Sequence, residues 1–524
     1  MKNYITILLL LTLGLMTFAQ QPGTIDETFG NSGKVMTDIY KSYNDAQAVI
    51  IQPDGKILAG GYTNGLGVQQ YCTLVRYQSE GTYDASFGSG GVFTFNFGTE
   101  VSQVFDIALQ ADGKILICGY SNSGDADISV ARVLPDGGLD NTFGVSGIST
   151  IDLGGNEIAT CITVQEDGKI VIAGQTDISI GSDLDLFVCR FLPNGTLDNG
   201  FSTNGFIVLD LASGSYDMPG DVAMHQGKIL VSSYAYQTYG STYDAIALVR
   251  LKLDGTLDPG FGINGISIND GHILCNMVLS PGTSLSIDSQ YRIVVASRVF
   301  GLESIDFALF RYLNYGYPDN SFGENGVVIT DMIGDNAAYS VVHQPDGKIL
   351  AGGYHSNTSN MDFCLARYLE DGSLDADFGT HFGVSFYDIS QGGSMNDAIQ
   401  SLAIQENGKI LAAGGAYNAA GDQDFVIVRF YSGLPTGLSE NNYDQDAFGI
   451  QPNPCNGEFS IQTDLSREDI RAFRIYDLSG RIVFEEQGFP VGTYNLNFLE
   501  EGMYLAGLVL TNDVVYRKLI IHRD

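Results

Sequence analysis

One stretch of sequence recurs seven times in this chain, at intervals of 56 to 61 residues, and no other property constrains its fold as tightly. Each copy carries Asp-x-x-Phe: Asp26, Asp84, Asp140, Asp198, Asp258, Asp319 and Asp375 each stand three positions before a Phe. A fixed period of that length marks stacked supersecondary units that bury their faces only against one another. Residues common to every unit therefore belong first to the scaffold.

The unit at 44–98 shows what is being stacked. An apolar run at 46–52 meets Pro53-Asp54-Gly55, and a second run follows at 56–62. Pro presets φ and Gly takes the left-handed position, so the two runs fold back as a hairpin. A third strand at 71–77 contains Arg76. A glycine turn then leads through Asp84, Phe87-Gly88 and Gly91 to a short fourth strand at 92–95. Four short strands per unit without helical periodicity describe a propeller blade, so the predicted fold class is all-β, a seven-bladed β-propeller. Unit four keeps only Gly227 of the hairpin turn, and unit five has Tyr291 in place of the turn glycine.

The phase of the repeat predicts how the ring closes. Arg76, Arg132, Arg190, Arg250, Arg311 and Arg367 each precede an Asp by eight residues, but Arg429 does not, and Asp26 has no preceding Arg. The two orphans complete each other if the N-terminal segment supplies the outermost strand of the last blade. Such a velcro closure removes the open sheet edge that would invite pairing with other chains. The Arg–Asp pairs and Phe29 with its copies read as structural, and the Lys after each hairpin turn (Lys56, Lys114, Lys169, Lys228, Lys348, Lys409) as a solvated residue.

The two ends of the chain differ from the repeats. Lys2, the apolar run 5–18 and Thr17-Phe18-Ala19 read as a secretory signal peptide over 1–19. No other apolar stretch approaches the length of a membrane span, so no transmembrane anchor is expected. A formal charge of −35 disfavours binding to nucleic acid. The seven cysteines show no paired spacing and read as small buried hydrophobes. The predicted organisation is a propeller over 24–430, a polar Pro/Gly-containing linker at 431–446, and a small C-terminal β-sandwich over 447–524.

Two resemblances follow from motifs. Residues 24–430 resemble the delta-60 repeat family through LDxxFGxxGxV and QPDGKIL-GG, which implies a β-propeller and no established activity. From Phe448 onward, PNPxxGxF (Pro452, Asn453, Pro454, Gly457), IYDxxGR (Tyr476, Asp477, Gly480, Arg481), LxxGxY (Gly502, Tyr504) and a terminal strand with Lys518 occur in order. This segment resembles the type A C-terminal sorting domain of the type IX secretion system. That resemblance implies handling by the type IX secretion machinery, and a secreted or surface location on a Gram-negative bacterium.

Chemistry is harder to find. Nucleophile elbow, zincin, P-loop, EF-hand and dinucleotide motifs are absent. The six histidines show no ligand spacing, and His225 and His343 read as surface turn residues. No catalytic or metal-ligating residue is assigned and no cofactor is expected. Asp125/Asp127, Asp183/Asp185 and Asp422/Asp424 are loop pairs able to offer oxygens to Ca²⁺, with solvated loop charge as the plainer reading. Hairpin and Arg-to-Asp turns barely vary between copies, whereas the other two connections of each unit do, and in a propeller they share one face. Variable loops on a rigid scaffold are where binding usually lives. The stretch 233–243 is the most distinctive: Tyr234, Tyr236, Tyr239 and Tyr243, with Tyr40, Tyr43 and Tyr216, offer amphipathic rings as candidate ligand contacts. The leading expectation is a non-enzymatic binding or adhesion module for extracellular glycan or protein. The alternative is an extracellular polysaccharide hydrolase or lyase acting at the channel mouth.

Overall fold

A computed structural model describes residues 20–65, 69–98, 101–122, 124–178, 184–211, 215–237, 244–273, 284–300, 304–356, 360–390, 395–433, 448–452, 455–463, 470–476, 482–488, 493–499, 502–510 and 514–523. Residues 1–19, most of the linker, Tyr239, Tyr243, the side chain of Tyr236, and Asn453, Pro454, Asp477, Gly480 and Arg481 lie outside the described residues.

Every regular element among the described residues is a strand. Blade 1 comprises Asn44–Ile51, Ile57–Asn64, Gln70–Tyr77 and Val92–Phe95, hydrogen-bonded in that order. Blades 2 to 6 repeat this meander, beginning at Val101, Glu157, Ser215, Leu285 and Asn336. Blade 7 takes three strands from Ala398–Ile404, Ile410–Tyr417 and Gln423–Phe430, and its fourth, Lys34–Thr37, from the N-terminal segment. Lys34 pairs with Val428 and Thr37 with Phe425. The first strand of each blade is innermost, and these strands touch in sequence around the axis, that of blade 7 meeting that of blade 1.

The core is distributed to match. Seven apolar clusters each join two consecutive blades, from Leu74, Phe87 and Ile117 between blades 1 and 2 to Phe29, Val75 and Ile427 between blades 7 and 1. A blade thus has no interior of its own, which is why the unit must repeat. Six cysteines (72, 118, 161, 189, 364, 455) are buried free thiols, and Cys275 lies outside the described residues.

The C-terminal segment forms one sheet from Phe448–Gln451, Glu458–Thr463 and Thr493–Asn495, and a second from Ile482–Gln487, Ile470–Tyr476, Gly502–Leu510 and Val514–Ile521. Phe459 and Tyr494 of the first meet Phe473, Leu508 and Leu519 of the second in one core. Gly457 holds φ at +105° and its carbonyl accepts the Leu496 N–H at 2.8 Å. Tyr504 packs against that core, Lys518 pairs in register with Leu505, and Pro452 follows the first strand.

Candidate functional site

Strand direction gives each blade two unlike ends. At one end stands the Arg–Asp clamp. In all seven blades the Arg Nε donates to the Asp Oδ2 at 2.7–2.9 Å, Arg429 to Asp26 included. Its guanidinium lies 4.4–4.8 Å above the Phe of the Asp-x-x-Phe motif. The remaining arm crosses to the next blade: Arg76 to the Pro135 carbonyl, Arg132 to Pro193, Arg190 to Leu253, Arg250 to Asn314, Arg311 to Glu370, Arg367 to Ser432, Arg429 to Ser79. Each acceptor stands three residues beyond its own blade's Arg, so the chain of contacts closes on itself. A planar fork that serves a carboxylate and a carbonyl together explains why Arg is used.

Several residues read as solvated belong to this clamp. Lys228, Lys348 and Lys409 place Nζ 2.7, 3.0 and 2.5 Å from the clamp Asp, and Lys56, Lys114 and Lys169 lie 3.5–3.8 Å from theirs. His225 is buried rather than a surface turn residue. It stands where five other units have Gln and unit five has Asp288, with Nδ1 3.1 Å from Arg250 Nη1 and Nε2 2.9 Å from the Tyr291 carbonyl. Tyr291 itself adopts φ +60° in the turn that has lost its glycine. His343, half-buried, places Nδ1 2.8 Å from Ser286 Oγ.

Burial pushes the Asp26 carboxyl up, but hydrogen bonds from Lys409, Thr28 and Tyr431 and the charge of Arg429 outweigh it and hold it well below the usual range. Burial likewise opposes ionisation of Asp84, and Ser86 with Arg76 brings it down to about 2. These groups are tied up in structure, which fits a scaffold role for the clamp.

The axis is a second candidate. A cavity of about 110 Å³ is lined from all seven blades, among them by Gln47, Asp106, Asp221, Ser340 and Ser401. A belt of hydrogen bonds crosses between inner strands here. Asp106 accepts the Ile162 N–H (3.0 Å), Asp221 that of Leu285 (2.9 Å), Ser284 that of Val341 (3.4 Å), Ser340 that of Leu402 (3.0 Å) and Ser401 that of Val49 (3.1 Å). Burial, reinforced by the charge of Asp221, raises Asp106 to about 7, and burial raises Asp221 to about 6. A space of this size holds a few waters, well below the several hundred Å³ of a typical ligand pocket.

The third candidate is the face of varying connections. Tyr40 is 57 % exposed and Tyr43 36 % exposed, both on the connection from blade 7 to blade 1. Tyr40 meets Tyr71 edge-on at 6.0 Å and its hydroxyl lies 3.0 Å from Thr94 Oγ1, while Tyr43 stacks on Tyr62 at 6.1 Å. Tyr71 and Tyr62 are thus part of a tyrosine patch that sequence alone did not single out, since both read as strand residues. Tyr216 and Tyr234 stand on the hairpin of blade 4, three blades from that patch; Tyr216 pairs in register with Tyr236, and Tyr234 packs against the core between blades 4 and 5.

Segments 52–87, 110–143, 165–201, 227–261, 344–378 and 405–432 match the model described as Domain of unknown function (DUF5122) beta-propeller, and 449–522 match the Secretion system C-terminal sorting domain. No curated protein matches the chain. Similar solved structures include the polysaccharide lyase Uly1 (10 % identity, 80 % of this chain and 94 % of that one, TM-score 0.41). The beta-propeller domain of the Trilobed protease from Pyrococcus furiosus is similar at 11 % identity, over 74 % and 93 % of the two chains, with TM-score 0.38. The alpha-l-arabinofuranosidase arb93a from Fusarium graminearum is similar at 10 % identity, over 78 % and 96 %, with TM-score 0.35. At this distance the activities of those proteins do not transfer.

Proposed function

We propose, for a chain whose repeats belong to the DUF5122 beta-propeller family and whose C-terminal segment belongs to the secretion-system sorting-domain family, that the propeller is a binding module. Export by the type IX system delivers it to the cell surface or the medium. There it recognises extracellular glycan or protein through the face of varying connections. The observation that carries this reading is the patch of Tyr40, Tyr43, Tyr62 and Tyr71, with rings partly open to solvent on that face. Tyrosine pairs an apolar ring with a polar tip and suits recognition at little entropic cost. The narrow axis weighs against polymer cleavage in the channel, since a sugar chain needs far more room than a few waters.

The test is to incubate the purified protein with a panel of polysaccharides and surface proteins, scoring retention and product release together. The proposal expects retention without product, weakened about tenfold or more by Tyr40→Ala combined with Tyr71→Ala. Release of shortened or unsaturated oligosaccharides would overturn it.

A further inference from the structure

At the variable end of the blades, a second repeating pattern appears that the sequence period conceals. Five residues before the clamp Arg, at the start of the third strand, stand Asp127, Asp185, Asp306, Asp362 and Asp424, in blades 2, 3, 5, 6 and 7. Just after the fourth strand of the same blades come Asp152, Asp210, Asp331, Asp388 and Asp38. At the start of the next blade's inner strand come Glu157, Asp217, Asn336, Asp397 and Asn44. The three positions converge where one blade meets the next.

In three of these junctions all three residues are acidic: Asp127, Asp152 and Glu157; Asp185, Asp210 and Asp217; Asp362, Asp388 and Asp397. In each, one ligating oxygen from every residue lies within 4.8 Å of the other two. The third carboxylate is already oriented by the connection that it caps. Glu157 accepts the Leu153 and Gly155 N–H groups at 3.1 and 3.0 Å, Asp217 that of Leu211 at 2.7 Å, and Asp397 those of Ile389 and Ser390 at 2.7 and 2.9 Å.

The first position differs between junctions: Asp362, between blades 6 and 7, accepts the Asn360 side-chain amide at 2.7 Å, whereas Asp185, between blades 3 and 4, accepts nothing. Asp185 is 1 % exposed and neither of its carboxylate oxygens has a hydrogen-bond partner. One oxygen of Asp127 is likewise bare, as is one of Asp424, which is 3 % exposed. Among the described residues no lysine or arginine pairs with Asp127 or Asp185. A buried carboxylate without a partner, facing two more carboxylates, is costly unless a positive charge joins it.

We propose that the junction between blades 3 and 4 is a calcium site. It binds one ion through Asp185, Asp210 and Asp217, with backbone carbonyls and water completing the shell. Calcium suits the donor set because it takes six to eight oxygens at about 2.3–2.6 Å in flexible geometry, so oxygens up to about 5 Å apart can share one ion. Magnesium, at about 2.0–2.1 Å in a strict octahedron, needs them closer. The carboxylate neighbours come from the fourth strand and the next blade, not from the residue two positions earlier in the loop. The ion would therefore tie blades 3 and 4 together at the end opposite the clamp. This inference is independent of the binding role proposed above.

The full-length secreted protein, stripped with a chelator and dialysed against calcium, should retain one ion per chain by elemental analysis. Its unfolding midpoint should rise in calcium relative to chelator, and less in magnesium at equal concentration. Asp210→Asn changes an exposed ligand and should leave a folded protein that holds no ion. Asp136→Asn, an exposed carboxylate at the clamped end, should keep the ion. No calcium-dependent shift in midpoint, or a stoichiometry that Asp210→Asn leaves unchanged, would overturn the assignment.

Discussion

Asp26→Ala strikes the one clamp that is formed by the two ends of the propeller chain. Asp26 is fully buried and accepts from Arg429 Nε at 2.7 Å, Lys409 Nζ at 2.5 Å, Thr28 Oγ1 at 2.6 Å and Tyr431 Oη at 2.6 Å. Removing it leaves the buried Arg429 without its carboxylate, and breaking a buried pair from one side costs about 3–5 kcal/mol. Two features pull the figure toward the lower bound. Arg429 keeps the Ser79 carbonyl at 2.9 Å, and the Lys409 side chain is 16 % exposed and can turn to water. With about 3 kcal/mol lost and each 1.36 kcal/mol worth a factor of ten, opening of the N-terminal strand becomes about a hundredfold more frequent. Hydrogen exchange read by mass spectrometry measures this directly. Amides of Lys34–Thr37 and their partners in Gln423–Phe430 should exchange about a hundredfold faster, while those of Lys228–Gln237 across the ring keep their rates. Unchanged exchange at 34–37, or equal acceleration in blade 4, would refute closure by this clamp.

Two further outcomes follow from the same geometry. All seven clamp carboxyls titrate below their ordinary range, so their stabilisation is complete above about pH 4 and is lost as pH falls through the folded values. The unfolding midpoint, followed by circular dichroism, should drop steeply between pH 4 and 2. Asp106 and Asp221 have the opposite sign: raised to about 7 and about 6, they favour the protonated folded state, so stability from the channel declines as pH rises from about 4 to 7. Asp106→Asn should reduce that decline, and an unchanged slope would show that this carboxyl is not the group responsible. Gly195→Ala should lower stability by about 2–3 kcal/mol in urea unfolding, because Gly195 holds φ at +86° and a Cβ would lie 2.8 Å from the Gly144 backbone nitrogen.

Sequence carried most of the architecture because the clamp is a local pattern copied faithfully. Eight residues separate Arg from Asp in six blades, and the mismatch at Arg429 and Asp26 pointed to the strand exchange that the 2.7 Å bond between them displays. The turn of blade 7 is split between chain ends in the same way. Ser432 supplies the carbonyl for Arg367, while Gly23 takes the glycine's place against Phe378. What sequence hid was convergence across blades. Lys228 and Asp258 lie thirty residues apart, so a lysine after a turn looked solvated. Asp185 and Asp217 belong to different units, and Asp185 drew attention only as half of a loop pair. Tyr62 and Tyr71 lie in strand runs, and only the fold sets their rings beside Tyr43 and Tyr40.

In a sevenfold ring, the places where repetition fails are the places free to acquire a task. The clamp never fails. The acidic position five residues before the Arg fails twice, at Tyr71 and Ala245. At Tyr71 the loss is also a gain, since the ring that replaces the carboxylate meets Tyr40 on the exposed patch. The other two positions at that junction are Asn96 and Ser102, neither of them charged. Tyr71→Asp therefore separates the two proposed roles of this face. It removes a ring from the tyrosine patch and restores the carboxylate of the other blades, but a single acid beside Asn96 and Ser102 lacks the donor charge for a calcium site. Retention on the ligand found by the panel should weaken, by about the 0.5–1.5 kcal/mol of an aromatic contact or more. Calcium stoichiometry and the chelator-sensitive midpoint should stay as they were. Full retention by a folded Tyr71→Asp protein would remove this ring from the binding surface, and a second bound ion would show that one carboxylate suffices where three were invoked.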